Sequence, residues 1–409
     1  MSGVNGGSGA SGPRQAGGAR EAVWLRLLLA VWCAEGLWFL TRPAGPLRSD
    51  AASYWGTGGV IVRTHVIPNY WPPGYPLITA AFHLWGGIPA LVALQTVLTG
   101  LLILWVQAWV RQRYGTRPAL VFLAGNALLP VLYLYSRFVL SDVWLIYCLC
   151  AWCVWTDRAL VGRGSFAWSG LALAVGAAIR PEALPVGALE LAWLLYARRP
   201  RAAMAAIAPL AAEILCWGGY NRVAAGAWIF TQHNFWVNIW AGNNPRSFGF
   251  MTVPVQPAGA APSVYRTLAL HWLTGHPLRF CLLCVVRVAV FWFSTPSSIQ
   301  ALAVQAHVAP RGWMVLAAAM TAARAAAFLG GAWWLMRHRQ LGEVLAPLAA
   351  ILVLWGFTVP FFAGGRFVLP AIPFALIVAG VAWQHFRERA GRALGRGGPP
   401  RTAAASAPR

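Results

Sequence analysis

Residues 49–80 place a single carboxylate beside a turn that is rich in proline and aromatic residues. The stretch reads SDAASYWGTGGVIVRTHVIPNYWPPGYPLITA, and its acid is Asp50. Ser49 is a residue type that caps helices, so the sequence predicts a short helix that Ser49 caps and Asp50 begins. The positive end of a helix favours an ionised carboxylate, which can accept a proton or hold a cation. A capping role or a salt bridge with Arg48 is the structural alternative for Asp50.

Aromatic residues follow Asp50 at spacings that suit a pocket wall. Tyr54 lies one helical turn further on, so it shares a helix face with Asp50. The turn that begins at Trp71 reads W-P-P-G-Y-P. Its prolines stiffen the backbone, and Gly74 permits an unusual backbone angle. Trp71 and Tyr75 can each present a flat face to a sugar ring.

A second acid and several arginines could complete a site for an anionic substrate. Asp142 begins a later apolar run, where a capping role is sufficient unless the fold brings it near Asp50. Arg137 could pair with Asp142 or bind a phosphate group. Arg366 follows two glycines and could reach lipid headgroups or clamp a substrate phosphate. Arg63 is a third candidate for phosphate binding.

Other polar motifs are interpreted as structural. Arg180 and Glu182 flank a proline at the end of an apolar run, and such a pair is commonly a structural ion pair. Two cysteine pairs with C-x-x-C spacing lie within apolar runs, where cysteine usually serves packing. No cofactor is assigned. A divalent metal ion is compatible with the acids but is not predicted.

Composition limits the class of protein. Of the 409 residues, 59% are hydrophobic, and the mean hydropathy is +0.58. Apolar runs of about 18 to 22 residues recur, and runs of that length cross a bilayer as helices. Lipid cannot satisfy open backbone groups, so helices are favoured. We predict an all-α polytopic membrane protein with about 10–12 transmembrane helices and short interfacial helices in the first outer loop.

The charge balance favours membrane lipids over nucleic acid as partners. The chain has 32 basic residues, all of them arginine, against 10 acidic residues, for a net charge of +22. A nucleic-acid partner would require a soluble basic domain, and the sequence shows none. Anionic lipid and the membrane surface suit this charge, and arginine makes forked contacts with phosphate.

Arginine-rich loops predict the orientation of the chain. Ten spans are predicted, at approximately 23–40, 88–110, 118–136, 140–156, 166–179, 183–197, 202–219, 312–336, 344–361 and 367–385. Arginine clusters occupy alternate loops, so both termini are predicted to be cytoplasmic. Residues 278–294 are apolar but carry Arg287 at their centre, which is costly in lipid. We predict a buried or re-entrant helix there, and a further crossing within 220–277 is the alternative.

Three regions follow from this pattern. Residues 1–20 are rich in glycine and serine and are predicted to form a disordered tail. Residues 21–386 form the membrane domain, with outer loops at about 41–87 and 220–311. Residues 387–409 are predicted to be a basic, disordered C-terminal tail.

These landmarks together resemble the integral-membrane glycosyltransferases with a type C fold. The nearest group is the dolichyl-phosphate-mannose–protein mannosyltransferase-like group, which includes the bacterial aminoarabinose transferases. The matching positions are Asp50, Tyr54 and residues 72–76, then Ser141 with Asp142, then Gly176 to Glu182 at a looser spacing, and finally Arg366 and Phe367 with Pro370 and Pro373. The sequence departs from the pattern at Ala51, where many relatives have glutamate.

The resemblance implies transfer of a sugar from a polyprenyl-phosphate-linked donor to an acceptor hydroxyl, with inversion, at the extracytoplasmic face of a bacterial cytoplasmic membrane. The acceptor could be a glycan, a lipid or a protein. The implied roles are catalytic base for Asp50, supporting acid for Asp142, phosphate binding for Arg366, Arg137 and Arg63, and a sugar or acceptor pocket for Tyr54, Trp71 and Tyr75.

Two alternatives stay open. A transporter or flippase of a lipid-linked sugar would use the acids within the spans, Glu35, Glu190 and Glu213. A catalytically inactive family member is the other alternative, because Ala51 replaces an acid.

Overall fold

The computed structural model describes residues 14–248, 262–293, 313–361 and 366–394, and within these ranges the chain forms helices and no strand. The helices are α1 (Arg14–Leu40), α2 (Asp50–Thr64), α3 (Gly74–Leu84), α4 (Gly87–Tyr114), α5 (Thr116–Ala127), α6 (Val131–Ser136), α7 (Asp142–Leu160), α8 (Phe166–Ile179), α9 (Ala183–Tyr196), α10 (Pro200–Ala225), α11 (Phe235–Gly242), α12 (Pro262–Gly275), α13 (Pro277–Phe293), α14 (Trp313–Arg337), α15 (Leu345–Thr358) and α16 (Ile372–Ala393).

The helices confirm an all-α polytopic membrane protein. Among the described residues, six helical segments are long and apolar enough to span a bilayer, and there are seven if the bent pair α12–α13 is one broken span. These six segments match six of the ten predicted spans. The other four predicted spans coincide with α5 and α6 together, α8, α9 and α14. The first predicted outer loop contains two short helices, α2 and α3.

The ends of the chain differ in part from the prediction. Helix α1 begins at Arg14, so the last residues of the predicted tail 1–20 are helical. Residues 1–13 lie outside the described residues. Helix α16 extends to Ala393 and takes in the start of the predicted tail 387–409, of which residues 395–409 lie outside the described residues.

Small residues allow the central helices to approach closely. Helix α8 packs between α7 and α10, and Gly170 lies directly against the backbone of Ala206. Helix α16 packs against α5 and α14, and every residue from Ile372 to Ala382 is buried. Glycine and alanine at such contacts let helix backbones come together where water cannot drive association.

A break replaces the single span predicted at 118–136. Helix α5 ends at Ala127 and α6 begins after Pro130, because proline has no backbone N–H to continue a helix. At the other end of α6, Gln95 on α4 donates its amide N–H groups to the carbonyl oxygens of Ser136 and Phe138, at 2.8 and 2.9 Å. The oxygen of the same amide accepts a hydrogen bond from the Tyr75 hydroxyl at 3.0 Å, so Gln95 joins the proline-rich turn to the end of α6.

Gly74 is required for a close approach of two helices. Gly74 does not use the unusual backbone angle that glycine permits, since it is not among the glycines with positive φ. A Cβ added at Gly74 would lie 2.8 Å from the carbonyl oxygen of Ala178, which is backbone and cannot rotate away. The glycine therefore lets α3 rest on the end of α8.

The Gly74→Ala variant is expected to lose about 1–3 kcal/mol of stability, because the added methyl group forces α3 away from α8. Thermal unfolding in detergent measures the loss. Gly56→Ala is the matched control, because a Cβ at Gly56 meets no atom within 4 Å. An equal melting temperature for the two variants would contradict the close contact.

Arg287 is stabilised by backbone carbonyls at the centre of an apolar helix. Its side chain is fully buried, and its guanidinium donates to the carbonyl oxygens of Val359 and Pro360, at 3.0 and 3.2 Å. It also donates to the Gly242 carbonyl and to the Asn243 side chain. Helix C-termini leave carbonyl groups unpaired, and Arg287 satisfies those of α11 and α15. Helix α13 meets α12 at 99°, and whether it crosses the membrane stays a prediction.

The Arg287→Met variant is expected to lose at least about 3 kcal/mol of stability, because several buried carbonyl groups lose their donor. Arg279→Met is the control, since Arg279 is exposed on the same helix and, within the described part of the chain, donates only to the Pro245 carbonyl. The measurement is the melting temperature of each variant in detergent, and Arg287→Met should melt at the lower temperature. Similar values would mean that Arg287 does not hold α11 and α15 together.

Candidate active site

A cavity of about 250 Å³ lies where α2, α9 and α11 begin and where α8 and α15 end. Its lining includes charged, amide and aromatic side chains. The charged residues are Asp50, Arg180, Glu182 and Arg366, the amide residues are Gln232, Asn234 and Asn238, and the aromatic residues are Tyr54, Tyr70, Trp71, Phe235, Phe357, Phe361 and Phe367.

The cavity and the basic loops lie at opposite ends of the same helices. Helix α8 starts after Arg163 and reaches the cavity at its last residue, and α9 begins at the cavity and ends before Arg198. Helix α15 starts after Arg339 and also ends at the cavity. The cavity is therefore on the face opposite to these arginines.

Asp50 and Arg366 form an ion pair within the cavity, although 316 residues separate them. Their side chains are about one quarter exposed, at 24% and 28%. Burial alone would lower the pKa of Arg366, and the carboxylates of Asp50 and Asp142 reverse this effect and raise it. Arg366 therefore stays positively charged and holds Asp50 in place.

Ser49 does not cap α2, contrary to the prediction. Its φ of 50° lies in the left-handed region, and its side chain makes no capping hydrogen bond. A non-glycine residue at positive φ is strained, and such strain is frequent at functional sites. The Asp50 carboxylate is held by Arg366 instead of by a local capping arrangement.

Asp142 acts behind Arg180 and does not line the cavity. The Asp142 side chain is buried, and its Oδ1 lies 3.1 Å from Nη1 of Arg180. Arg180 also contacts Glu182 at 2.6 Å and donates to the Ser141 hydroxyl at 3.3 Å. Burial alone would lower the pKa of Arg180, but the Asp142 and Glu182 carboxylates raise it well above its usual value. Asp142 can therefore support the site only through Arg180 and by its charge.

The aromatic residues divide into cavity wall and core. Tyr54 and Trp71 line the cavity with ring centroids 4.5 Å apart, and the Trp71 ring nitrogen donates to Ser53 at 2.9 Å. Tyr75 is fully buried and is not part of the lining, so the structure corrects its predicted position in the pocket. Its hydroxyl instead bonds Gln95, which fixes the proline-rich turn.

The structure also corrects two of the three predicted phosphate ligands. Arg137 is buried away from the cavity and donates to the Arg42 carbonyl and to Thr96. Arg63 is exposed near the end of α2, and 13 residues of helix place it about 20 Å along the axis from Asp50. Of the three, only Arg366 lines the cavity.

Several lining residues were not predicted. Arg180 was interpreted as a structural partner of Glu182, which it is, but both residues also face the cavity. Tyr70 directly precedes Trp71, so its position in the same aromatic turn was a usable signal. The three amide residues lie in the predicted outer loop 220–311, and nothing in their spacing distinguishes them from surface residues.

The acids that a transporter would use lie elsewhere. Glu35, Glu190 and Glu213 are not among the residues that line the cavity. Glu190 is buried and accepts hydrogen bonds from Trp152, Thr156 and Ser169 at 3.0, 2.9 and 3.1 Å. Across the described part of the chain, no three His, Cys, Asp or Glu side chains are placed to hold a metal ion.

Comparisons with known proteins leave the family open. No family model matches the chain, and no curated protein matches it. Among solved structures, the crystal structure of ArnT from Cupriavidus metallidurans in the apo state is similar at 16% sequence identity and a TM-score of 0.36. The similarity covers 93% of this chain and 80% of that chain. A TM-score this low does not establish a common fold.

The helices and the cavity define the class of protein directly. The chain is an integral, multi-pass, all-helical membrane protein. At the end of the bundle opposite to its arginine-rich loops, it carries a cavity with paired acids and arginines.

Proposed function

We propose that this protein is a membrane glycosyltransferase that moves a sugar from a polyprenyl-phosphate-linked donor to an acceptor hydroxyl, with inversion. One observation carries the proposal. A carboxylate that can act as a base, Asp50, and a cation that can bind phosphate, Arg366, are in direct contact within one cavity.

The reaction requires a base and no acid. The acceptor oxygen attacks the anomeric carbon from the side opposite to the phosphate, and its proton passes to the Asp50 carboxylate. The bond between the anomeric carbon and the phosphate oxygen breaks, and its electron pair stays on the phosphate. Positive charge develops on the sugar ring, and the nearby carboxylate of Asp50 stabilises that charge. The leaving group is an anion, so a cation suffices to bind it.

Arg366 connects donor binding with release of the base. Its guanidinium forms forked hydrogen bonds to phosphate as readily as to carboxylate. A donor phosphate therefore competes with Asp50 for Arg366. When the phosphate takes this position, the Asp50 carboxylate becomes available to an acceptor hydroxyl. Asp142 supports the site indirectly, because it fixes Arg180 and thereby Glu182 at the cavity edge.

The position of the cavity supports an extracytoplasmic site. The arginine-rich loops lie at the opposite helix ends, and such loops are retained in the cytoplasm. We therefore place the cavity on the extracytoplasmic face of a bacterial cytoplasmic membrane, with both termini in the cytoplasm and residues 21–386 as the membrane domain. The donor lipid would reach the cavity from the outer leaflet.

Ala51 bears on the alternative of an inactive family member. It is 4% exposed and packs in the hydrophobic core of the bundle, so α2 contributes only Asp50 as an acid to the cavity. The proposed mechanism requires one base, and Asp50 meets that requirement without a neighbouring acid.

The assay for this proposal follows radiolabelled sugar on a polyprenyl-phosphate carrier in membranes that contain the protein. A transferase moves the label from the lipid to an acceptor and leaves polyprenyl phosphate. A flippase moves the labelled lipid across the bilayer while the sugar stays attached. Label that changes leaflet but never leaves the lipid would overturn the proposal, as would no change at all relative to membranes without the protein.

A further inference from the structure

Two residues that line the cavity each carry a buried side-chain oxygen atom with no hydrogen-bond donor in the described part of the chain. These atoms are Oδ1 of Asn234 and Oε2 of Glu182. Their residues are 2% and 9% exposed. Buried acceptors are nearly always paired in folded proteins, and an unpaired one costs free energy. Two such atoms on residues of one cavity therefore point to a ligand that supplies the donors.

Asn234 lacks the local hydrogen bond that its position normally provides. It is the residue that precedes α11, where asparagine usually accepts a backbone N–H from the first turn. Its side chain makes no such bond. The Asn234 side chain instead lies against Tyr70, where hydrogen bonding to it opposes the rise in the pKa of Tyr70 that burial causes. The amide oxygen of this cavity-lining residue is thus left without a partner among the described residues.

Glu182 is held so that one oxygen is occupied and the other is free. It directly precedes α9 and also makes no capping hydrogen bond. Its Oε1 accepts hydrogen bonds from Arg180 at 3.1 and 2.6 Å. This pairing fixes the carboxylate of a cavity-lining residue, and its Oε2 is left as a buried acceptor without a partner among the described residues.

The chemistry of these two atoms separates them from the phosphate subsite. Both are acceptors, and a phosphate diester offers no donor to either. Sugar hydroxyl groups do donate, and amide and carboxylate oxygens are suitable partners for them. Tyr70 and Trp71, which line the same cavity, supply apolar faces for the ring between these polar contacts.

We propose that Asn234 and Glu182 select the sugar of the donor by accepting hydrogen bonds from two of its hydroxyl groups. This proposal rests on the function proposed above. Asn234 and Glu182 are specificity-determining residues in it, whereas Asp50 and Arg366 perform the chemistry. A site that pairs with a hydroxyl group discriminates strongly against a substrate that lacks it, because its own buried acceptor is then left unpaired.

The test measures binding, which is independent of transfer. Full-length protein in nanodiscs is titrated calorimetrically with short-chain prenyl-phosphate mannose, glucose, galactose and arabinose. The sugar that binds is then replaced by its series of single-deoxy analogues. Asn234→Leu is compared with Asn69→Leu, the same substitution at a residue outside the cavity lining.

We expect Asn234→Leu to weaken binding about tenfold, the value of one hydrogen bond, while Asn69→Leu binds normally. One deoxy analogue should bind about tenfold more weakly than the parent sugar to the wild-type protein, but equally well to Asn234→Leu, because the contact is already lost. Glu182→Gln replaces one of the two carboxylate oxygens with an N–H donor. This variant should bind the parent sugar and one deoxy analogue equally well, and that analogue should lack a different hydroxyl group.

The outcomes distinguish this proposal from the function on which it rests. Coupling to a hydroxyl group without any sugar transfer in membranes would support the sugar contacts and overturn the transferase function. A second outcome is that sugar transfer occurs, but each deoxy analogue loses the same factor of binding affinity for the wild-type protein and for Asn234→Leu. This outcome would overturn the sugar contacts and leave the transferase function standing. No binding of any of the four sugar phosphates to the wild-type protein would also overturn them.

Discussion

Asp50→Asn is expected to slow sugar transfer by about a hundredfold to ten-thousandfold, the usual effect of losing a positioned base. The amide keeps the size of the carboxylate, and it can still accept a hydrogen bond from Arg366. It cannot take the proton of the acceptor or offset positive charge on the sugar ring. Donor binding should therefore persist. The measurement is transfer from a radiolabelled polyprenyl-phosphate sugar in membranes, with protein amount determined by immunoblot.

Asp157→Asn is the matched control for this variant. Asp157 also pairs with an arginine, Arg113, at 2.9 Å, but it lies at the opposite end of the bundle near the basic loops. Its substitution should leave the transfer rate within about twofold, because surface ion pairs contribute little. Near-normal transfer by Asp50→Asn at normal protein amount would show that Asp50 is not the base. The transporter hypothesis and the inactive-member hypothesis would then gain support.

Arg366→Met is expected to weaken donor binding by about tenfold to a hundredfold, because one charge-assisted hydrogen bond to phosphate is lost. The change also frees the Asp50 carboxylate from its cation. The transfer rate at saturating donor should therefore fall by a smaller factor than the affinity for the donor does. Equilibrium binding of the labelled donor lipid to protein in nanodiscs measures the first effect. Initial transfer rates at high donor concentration measure the second.

Arg63→Met provides the comparison for Arg366→Met. It removes the same charge from the same predicted side of the membrane. Arg63, however, occupies an exposed position about 20 Å along α2 from Asp50. Donor binding should be unchanged in this variant. Equal weakening by both substitutions would indicate a general attraction of the basic protein for the anionic lipid. A specific phosphate contact at Arg366 would then be excluded.

The helices were predictable because apolar runs of span length have few alternatives in a membrane. Nine of the ten predicted spans each coincide with one main helix, and the span predicted at 118–136 is divided between α5 and α6. The break between α5 and α6 was missed, although Pro130 marks it. A proline alone does not disclose that Gln95, a distant residue on α4, pairs with the carbonyl groups at the far end of α6.

The candidate site was predictable in part for a related reason. Positive charge in loops predicts the side of the membrane on which a residue lies, and it assigned Asp50 and Arg366 to one side. In the structure these two residues form an ion pair. Loop charge does not indicate the direction in which a side chain points. Arg137 shares that side but turns inward to the Arg42 carbonyl. Tyr75 likewise turns inward to Gln95, so neither residue reaches the cavity.

The three amide residues that line the cavity, Gln232, Asn234 and Asn238, could not be predicted from the sequence. Asparagine and glutamine in a polar loop are common, and their hydrogen-bond partners are set by tertiary structure. Asn234 becomes distinctive only when its oxygen is found buried, unpaired and beside the cavity. The ion pair of Arg180 with Asp142 is similar, because 38 residues and a helix reversal separate its members in the chain.

The central claim is that one cavity holds the donor phosphate at Arg366 and the anomeric carbon at Asp50. A cryo-electron microscopy structure of Asp50→Asn in nanodiscs, saturated with a polyprenyl-phosphate sugar, tests this claim directly. We predict donor density in the cavity, with phosphate oxygens within hydrogen-bond distance of the Arg366 guanidinium and the sugar between the phosphate and Trp71. Donor density at another place, a phosphate out of reach of Arg366, or an unoccupied cavity at saturating donor would contradict the account.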